Sequence, residues 1–157
     1  MSFFKSFAIS GSGLTAERLR LDLISNNIAN VHTTRTREGG PYRREVPVFA
    51  QHLERVREGD SPPGVQRGQS PLFAVSPFFT GAGVRVTAVV KDPSPLRMVH
   101  EPEHPDADAA GFVRYPNVDL NREFVDLMGA SRAYEANAAA FDAAKQMVQR
   151  ALELGRG

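Results

Sequence analysis

Two stretches of the chain, one at each end, carry apolar residues at helical spacing, and the residues between them do not. Toward the C-terminal end, Leu120, Leu127, Tyr134, Phe141 and Val148 recur every seven positions. Phe124, Ser131, Ala138, Lys145 and Leu152 fill the companion positions, so the two sets draw a seam of the coiled-coil kind. At about 100° per residue a second stripe falls on the far side of the same helix. It consists of Gly129, Ala133, Ala136, Ala140, Ala143 and Met147. The pattern predicts a helix from Val118 to Leu154, on the order of 55 Å long. Asn117 is its expected N-cap, with Asp119 and Glu123 in the first turns and Lys145 and Arg150 toward the end, as the helix dipole prefers.

The first thirty residues repeat the design. Phe7, Leu14, Leu21 and Ile28 form one stripe, reinforced by Ile24, while Ile9, Ala16 and Leu23 lie about 200° around, on the opposite face. Gly11 and Gly13 are expected to weaken or kink the early turns, at about 1 kcal/mol each relative to Ala. Asn30 is the expected left-handed C-terminal cap, because helical character stops there and Asn tolerates that conformation. Two helices cannot bury four faces between themselves. The stripes fit either core helices of an ordinary bundle or helices packed among neighbouring subunits, and the second reading accounts for more of the apolar surface.

The middle holds most of the prolines and reads as short strands joined by turns. Arg44 to Phe49 alternates weakly, with Pro47 marking an edge strand. Leu72 to Phe79 is a second candidate, Val84 to Lys91 is the clearest, and Leu96 to Val99 follows the turn at Asp92–Pro95. The predicted fold class is mainly α with a small β insert. Its long N- and C-terminal helices are expected to form an antiparallel coiled coil, with a small antiparallel β-rich segment between them. The expected divisions are 1–34, 35–116 and 117–157.

Composition narrows the function classes. The 157 residues suit a single domain, and 19 basic against 18 acidic residues leave a formal charge of +1. That balance lacks the basic excess of a nucleic-acid binder. Cysteine is absent, which removes disulfides, zinc–thiolate sites and thiol nucleophiles. No stretch approaches the roughly 20 apolar residues of a membrane span. The opening MSFFKSFAISGSGL has a short apolar run, broken by Ser and Gly, that continues into the heptad pattern, so a cleaved secretory signal is not expected.

Candidate chemistry is sparse. His100 to Asp108 contains two histidines and four carboxylates, but Pro102 and Pro105 forbid the helix that would set His100 and His104 on one face as metal ligands. A solvated acidic loop is the expectation. Arg35, Arg37, Arg43, Arg44, Arg55 and Arg57 cluster in sequence around Tyr42, interleaved with Glu38, Glu45, Glu54 and Glu58. They admit an interface-pairing or solvated face, or binding of phosphate or an anionic surface. The glycines form no phosphate loop, and no catalytic set stands at helical spacing. No catalytic, cofactor or metal residue is assigned.

Ser25-Asn26-Asn27-Ile28-Ala29-Asn30-Val31, leading into Thr33, resembles the N-terminal signature of the bacterial flagellar axial proteins, the rod, hook and hook-associated subunits. Ala130 to Asn137, with Phe141, Ala144, Lys145 and Met147, resembles their C-terminal helix. Glu38 to Arg44, Val89 to Leu96 and Glu103 to Asp119 look like segments peculiar to one proximal-rod member of that family, and only about residues 50–80 match no motif.

The resemblance implies a structural, non-enzymatic subunit of the flagellar proximal rod. Export by the flagellar type III apparatus and helical assembly in the periplasm are part of that implication. The implied partners are other copies of the chain, rod proteins of the FlgB, FlgF and FlgG types, and the basal-body base and export apparatus, with no nucleic acid and no direct membrane span. A rod subunit of the FlgB type is the nearest alternative; an independent helical binding module or a small enzyme are more distant ones. The expected assembly residues are Phe7, Ile9, Leu14, Leu21, Leu23, Asn26, Asn27, Ile28 and Asn30 on the first helix. On the second they are Leu127, Ala133, Tyr134, Ala136, Ala140, Phe141 and Val148. The Leu/Tyr/Phe/Val seam is expected to bind the chain's own N-terminal helix and the Gly/Ala stripe to meet neighbours. Arg18 and Lys145 fall at seam positions, where pairing with carboxylates would fix register. An isolated subunit is expected to have frayed ends.

Overall fold

A computed structural model describes residues 2–55 and 79–155. Helix α1 (Ser2–Ala29) leads through a looped segment to strand β1 (Glu45–Arg55), and strands β2 (Phe79–Lys91), β3 (Arg97–His100) and β4 (Phe112–Tyr115) precede helix α2 (Leu120–Leu154). The four described strands form two separate antiparallel pairs, β1 with β2 and β3 with β4. The architecture is therefore helix-rich with a small β segment, as the patterns predict. The insert differs in detail from the single small sheet expected. Strand β1 runs on past Phe49 to Arg55, with register shifts at Val48/Phe49 and His52/Leu53. The short β4 was not expected; its Val113 is fully buried while the residues on either side are exposed. The candidate strand at Leu72–Phe79 lies outside the described residues apart from Phe79, which opens β2.

Contacts between the helices descend in order. Phe7 stacks edge-on against Phe141 with ring centroids 4.9 Å apart, Gly13 faces Asn137, Arg20 lies 3.8 Å from Asp126, and Asn27 bonds to Glu123. As α1 advances α2 retreats, so the helices run antiparallel. Helix α1 runs continuously through Gly11 and Gly13. Gly13 is buried because α2 approaches closely; a Cβ on it would sit 2.7 Å from the Asn137 side-chain oxygen. Ser12, Thr15 and Ser25 turn their hydroxyls back onto carbonyls three or four residues earlier, which satisfies them within the helix.

Both predicted caps are corrected. No described non-glycine residue has positive φ, so Asn30 is not a left-handed cap. It closes α1 by directing its backbone N–H and its side-chain amide onto the Asn26 carbonyl, at 3.1 and 2.9 Å. Helix α2 is capped by Asp119, whose carboxylate accepts from the N–H groups of Asn121 and Arg122. Asn117 instead bridges segments, accepting from the Arg44 N–H at 2.9 Å and donating to the Asp92 carbonyl at 3.1 Å.

The seam on α2 also differs from the hydrophobic frame. Leu127, Phe141 and Val148 are half-buried and Tyr134 nearly so, but the residues alternating with them are Glu123, Ala130, Asn137 and Ala144, of which Glu123, Ala130 and Ala144 are buried. Phe124, Lys145 and Leu152 are exposed, and so is Arg18 on α1. Neither Arg18 nor Lys145 sits in the contact between the helices. On α1 the buried residues are Gly13, Ala16, Leu23, Ile24 and Asn27, while Phe7, Leu14, Leu21 and Ile28 are half-covered.

The β1–β2 hairpin is seated on α1. The Ser12 hydroxyl donates to the Ile9 carbonyl and accepts from the Val84 N–H at 3.1 Å. Gly83 makes that approach feasible: its φ is +118°, and a Cβ there would fall 2.1 Å from the Ser12 oxygen.

Candidate functional site: a buried polar junction and an uncovered helix face

The segment between α1 and β1 folds back on itself. Gly39 and Gly40 take φ of +88° and +76°, and the Tyr42 N–H donates to the Thr33 carbonyl at 3.0 Å. This turn returns Tyr42, Arg44 and Glu45 to the C-terminal end of α1, where Asn27 waits, only 1% exposed. Asn27 treats Glu45 as a strand partner would, accepting from its N–H at 2.9 Å and donating to its carbonyl at 3.0 Å. The same amide also accepts from the Tyr42 hydroxyl at 2.9 Å and donates to Glu123 at 3.2 Å. Both donors and both lone-pair sites of one side chain are thereby used.

Glu123, from the first turn of α2, is fully buried. One carboxylate oxygen meets Asn27 and the other accepts from the Arg44 guanidinium. Arg44 extends the network to Asp126 at 3.1 Å and Asp92 at 3.8 Å, and Arg20 approaches Asp126 at 3.8 Å. Burial, with the Glu45 and Glu123 carboxylates nearby, pushes the Tyr42 phenol up to about 12. The Ser94 hydroxyl and N–H hold the Asp92 carboxyl below its ordinary value, and Arg44 and Arg122 add to the effect. A buried carboxylate is tolerated only when its charge and lone pairs are met, and here they are. The groups answer one another, so the chemistry of this junction is cohesion. It ties the end of α1, the start of β1 and the start of α2 into one unit.

Of the expected assembly residues, Asn27 and Leu23 therefore belong to the interior, and Phe7 and Phe141 pack on each other. Leu14, Leu21, Ile28, Asn30, Leu127, Ala133 and Val148 are half-buried, while Ile9, Asn26, Tyr134, Ala136 and Ala140 are exposed. The loop that carries Tyr42 and Arg44 stands out in the sequence, whereas the roles of Glu123, Asp126 and Asn117 do not. The only signal for Glu123 was its place four residues before Leu127, where an apolar residue is expected. The basic cluster is divided: Arg44 is drawn into the junction and Arg35 pairs with Asp106 at 3.3 Å. Arg57 lies outside the described residues. In the acidic loop, Glu101 accepts from the Tyr115 hydroxyl and Asp106 from Thr34.

The face of α2 turned away from α1 leaves apolar side chains uncovered, interleaved with charged ones such as Arg132, Glu135 and Asp142. Phe124, Val125, Met128 and Met147 are each at least half exposed, and Gly129, Ala136, Ala140 and Ala143 lie among them.

The family model for flagella basal body rod proteins matches residues 7–35, and that for the C-terminal part of the flagellar basal body rod FlgEFG proteins matches residues 109–154. The first match carries Asn27, the second Asn117, Glu123 and Asp126, so the two matched segments meet at the polar junction. The flagellar basal-body rod protein FlgC of Borreliella burgdorferi is 42% identical, covering all of both chains. The FlgC of Bacillus subtilis is 38% identical and that of Salmonella typhimurium 35%, each over 99% of this chain and the whole of the relative. These relatives are flagellar basal-body rod proteins, and they indicate a structural role. The chain belongs to the FlgC family of flagellar basal-body rod proteins.

Proposed function

We propose that this rod subunit assembles helically with copies of itself and with rod proteins of the FlgB, FlgF and FlgG types, forming the proximal part of the drive shaft beside the basal-body base and export apparatus. The observation that carries this reading is the set of large apolar side chains on the outer side of α2, Phe124, Val125, Met128 and Met147, which the subunit's own fold leaves uncovered. Large exposed apolar surface on a folded chain marks a place where another surface belongs. On this reading α1 and α2 form an antiparallel coiled coil. Its inner positions on α2 alternate by four and three, from Glu123 through Leu127, Ala130, Tyr134, Asn137, Phe141 and Ala144 to Val148. The polar junction sets the pair's register, and Ala136, Ala140 and Ala143 allow neighbouring helices to approach closely. The subunit reaches the periplasm through the flagellar type III apparatus.

The chain contains no cysteine, so an introduced thiol reports cleanly. A subunit carrying Ala140→Cys is expressed in flagellated cells lacking their own rod subunit of this type, and basal bodies are treated with a short bis-maleimide. Basal bodies containing the subunit, with thiol cross-links absent from the dilute purified protein, are the expected result. Basal bodies that form without the subunit, or that contain it with its thiol fully open to solvent reagents, would overturn the proposal.

A further inference from the structure

We propose that the outer side of α2 docks on the outer side of α1 in a second copy of this chain, antiparallel to it, with Arg132 of one copy paired to Asp22 of the next. The proposal rests on the assembly reading above and names the surface that the outer side of α2 meets. Helix α1 has a free side of its own. Ala8, Thr15, Arg18, Asp22 and Ser25 are exposed, and steps of three and four residues set them on one face with Gly11. A Cβ added to Gly11 would meet nothing within 4 Å, whereas one on Gly13 would strike Asn137 of α2. Gly129 on α2 is open in the same way. Glycine inside a helix costs about 1 kcal/mol relative to alanine, and the subunit's own packing makes no use of Gly11 or Gly129. Both leave room for the close approach of a second helix.

The charges on these two sides lack partners within the subunit. Among the described residues Arg18, Asp22 and Arg132 form no ion pair, and Glu135 meets just the Ser131 hydroxyl, at 3.5 Å. Laid antiparallel, Asp22 falls opposite Arg132, and Arg18 falls opposite Ala136, next to Glu135. The same register sets Thr15 opposite Ala139, Gly11 opposite Ala143 and Ser25 opposite Gly129, because both sides step by alternating threes and fours. A parallel arrangement that joined Asp22 to Arg132 would leave Arg18 and Glu135 about 10 Å apart along the axis. Sliding the antiparallel pair by one heptad separates both charge pairs by the same distance. Pairs of this kind act mainly on register and choice of partner, since a wrong alignment opposes like charges. One chain carries both complementary sides, so a second copy supplies all that the contact needs.

The register also sets how copies stack. Within the chain Asn137 stands level with Gly13. Across this contact it stands level with Glu17 of the next copy, so each copy is displaced by about four residues, roughly 6 Å, along the helix axis. The contact is head-to-tail and leaves one side of every copy free for another. With an axial step, such a contact grows an open helix.

The test uses the full chain carrying both Thr15→Cys and Ala139→Cys, expressed in flagellated cells lacking their own subunit of this type, with basal bodies treated with a short bis-maleimide. The two thiols lie on opposite sides of the helix pair and are out of each other's reach within one subunit. A cross-linked ladder at whole multiples of the chain mass is expected, and neither single-cysteine chain should link to itself. Links to a protein of another mass, or no links where Ala140→Cys does link, would overturn this contact and leave the assembly reading standing. Basal bodies that lack the subunit in every variant would overturn both. Charge reversal supplies a second arm. Asp22→Arg and Arg132→Asp are each expected to abolish incorporation into basal bodies at unchanged helix content, and the double variant to restore it. Single variants that incorporate normally, or a double variant that stays excluded, would overturn the pairing.

Discussion

Asn27 of α1 donates a hydrogen bond of 3.2 Å to the buried carboxylate of Glu123 on α2, 96 residues further along the chain. Because that carboxylate also holds Arg44, the bond joins both terminal helices to the strand that opens the insert. A contact so placed fixes how far the helices are shifted along each other.

Breaking the junction on one side should be costly. Glu123→Leu leaves Arg44 short of one partner in a part-buried site, and removing one member of a buried ion pair typically costs about 3–5 kcal/mol. Arg44→Met should be comparably harmful, and the double variant less destabilised than the sum of the two. Urea unfolding of the four proteins checks this. Singles that add to within about 0.5 kcal/mol would show that the pair acts as two independent residues.

Gly83→Ala should detach the hairpin from α1. An L-residue at positive φ costs about 1–3 kcal/mol, and displacing Ser12 also breaks its hydrogen bond to Val84, worth about 1 kcal/mol. The Val84 amide, followed by hydrogen exchange, should lose protection before the amides of the junction do.

Acid and alkali act on different parts of the fold. The folded Tyr42 phenol lies above its unfolded value, so its contribution to stability is complete below about 10 and lost as pH rises through about 12. Ultraviolet titration of tyrosinate should show late ionisation of Tyr42 and, through its hydrogen bond to Glu101, of Tyr115, and the step accompanied by unfolding should be absent in Tyr42→Phe. Asp92 has the opposite sign: its folded pKa is lowered, so its contribution is present above 3.8 and lost as pH falls below it. The turn at Asp92–Ser94 should therefore loosen at the acid end, and Ser94→Ala, which removes the largest cause of the shift, should weaken that dependence.

Apolar periodicity found both helices and the set Leu127, Tyr134, Phe141 and Val148, because those side chains are large and regularly spaced. It chose the wrong companions by one residue. The inward positions there are Glu123, Ala130, Asn137 and Ala144, two small and two polar, which a hydrophobic template cannot select. The buried charge of Glu123 is met by Arg44, which arrives from the segment just before β1, 79 residues earlier, and nothing local in α2 announces that partner. Asn before a helix suits a cap, so Asn117 is the expected one from sequence, and only the fold reveals that Asp119 fills the role. The loop from Glu38 to Arg44 was legible as unusual, and the structure supplies its purpose.

Burial is concentrated toward the junction. Ala16, Leu23, Ile24 and Asn27 on α1 and Glu123 and Ala130 on α2 are covered, whereas beyond Asn137 only Ala144 of α2 is buried. Hydrogen exchange on the dilute, isolated subunit should therefore be slowest around residues 16–28 and 118–131 and fastest in residues 4–12 and 145–154. Even protection along both helices would mean that the distal ends are self-sufficient.

The central claim is that the outer face of α2 belongs to neighbouring subunits, and Ala136→Glu together with Ala140→Glu tests it most directly. Both residues are exposed, so the substituted subunit should fold with unchanged helix content. Expressed in place of the unsubstituted chain, it should be exported yet fail to enter basal bodies, leaving cells without rods and non-motile. Normal rods and normal swimming with both charges in place would contradict the account.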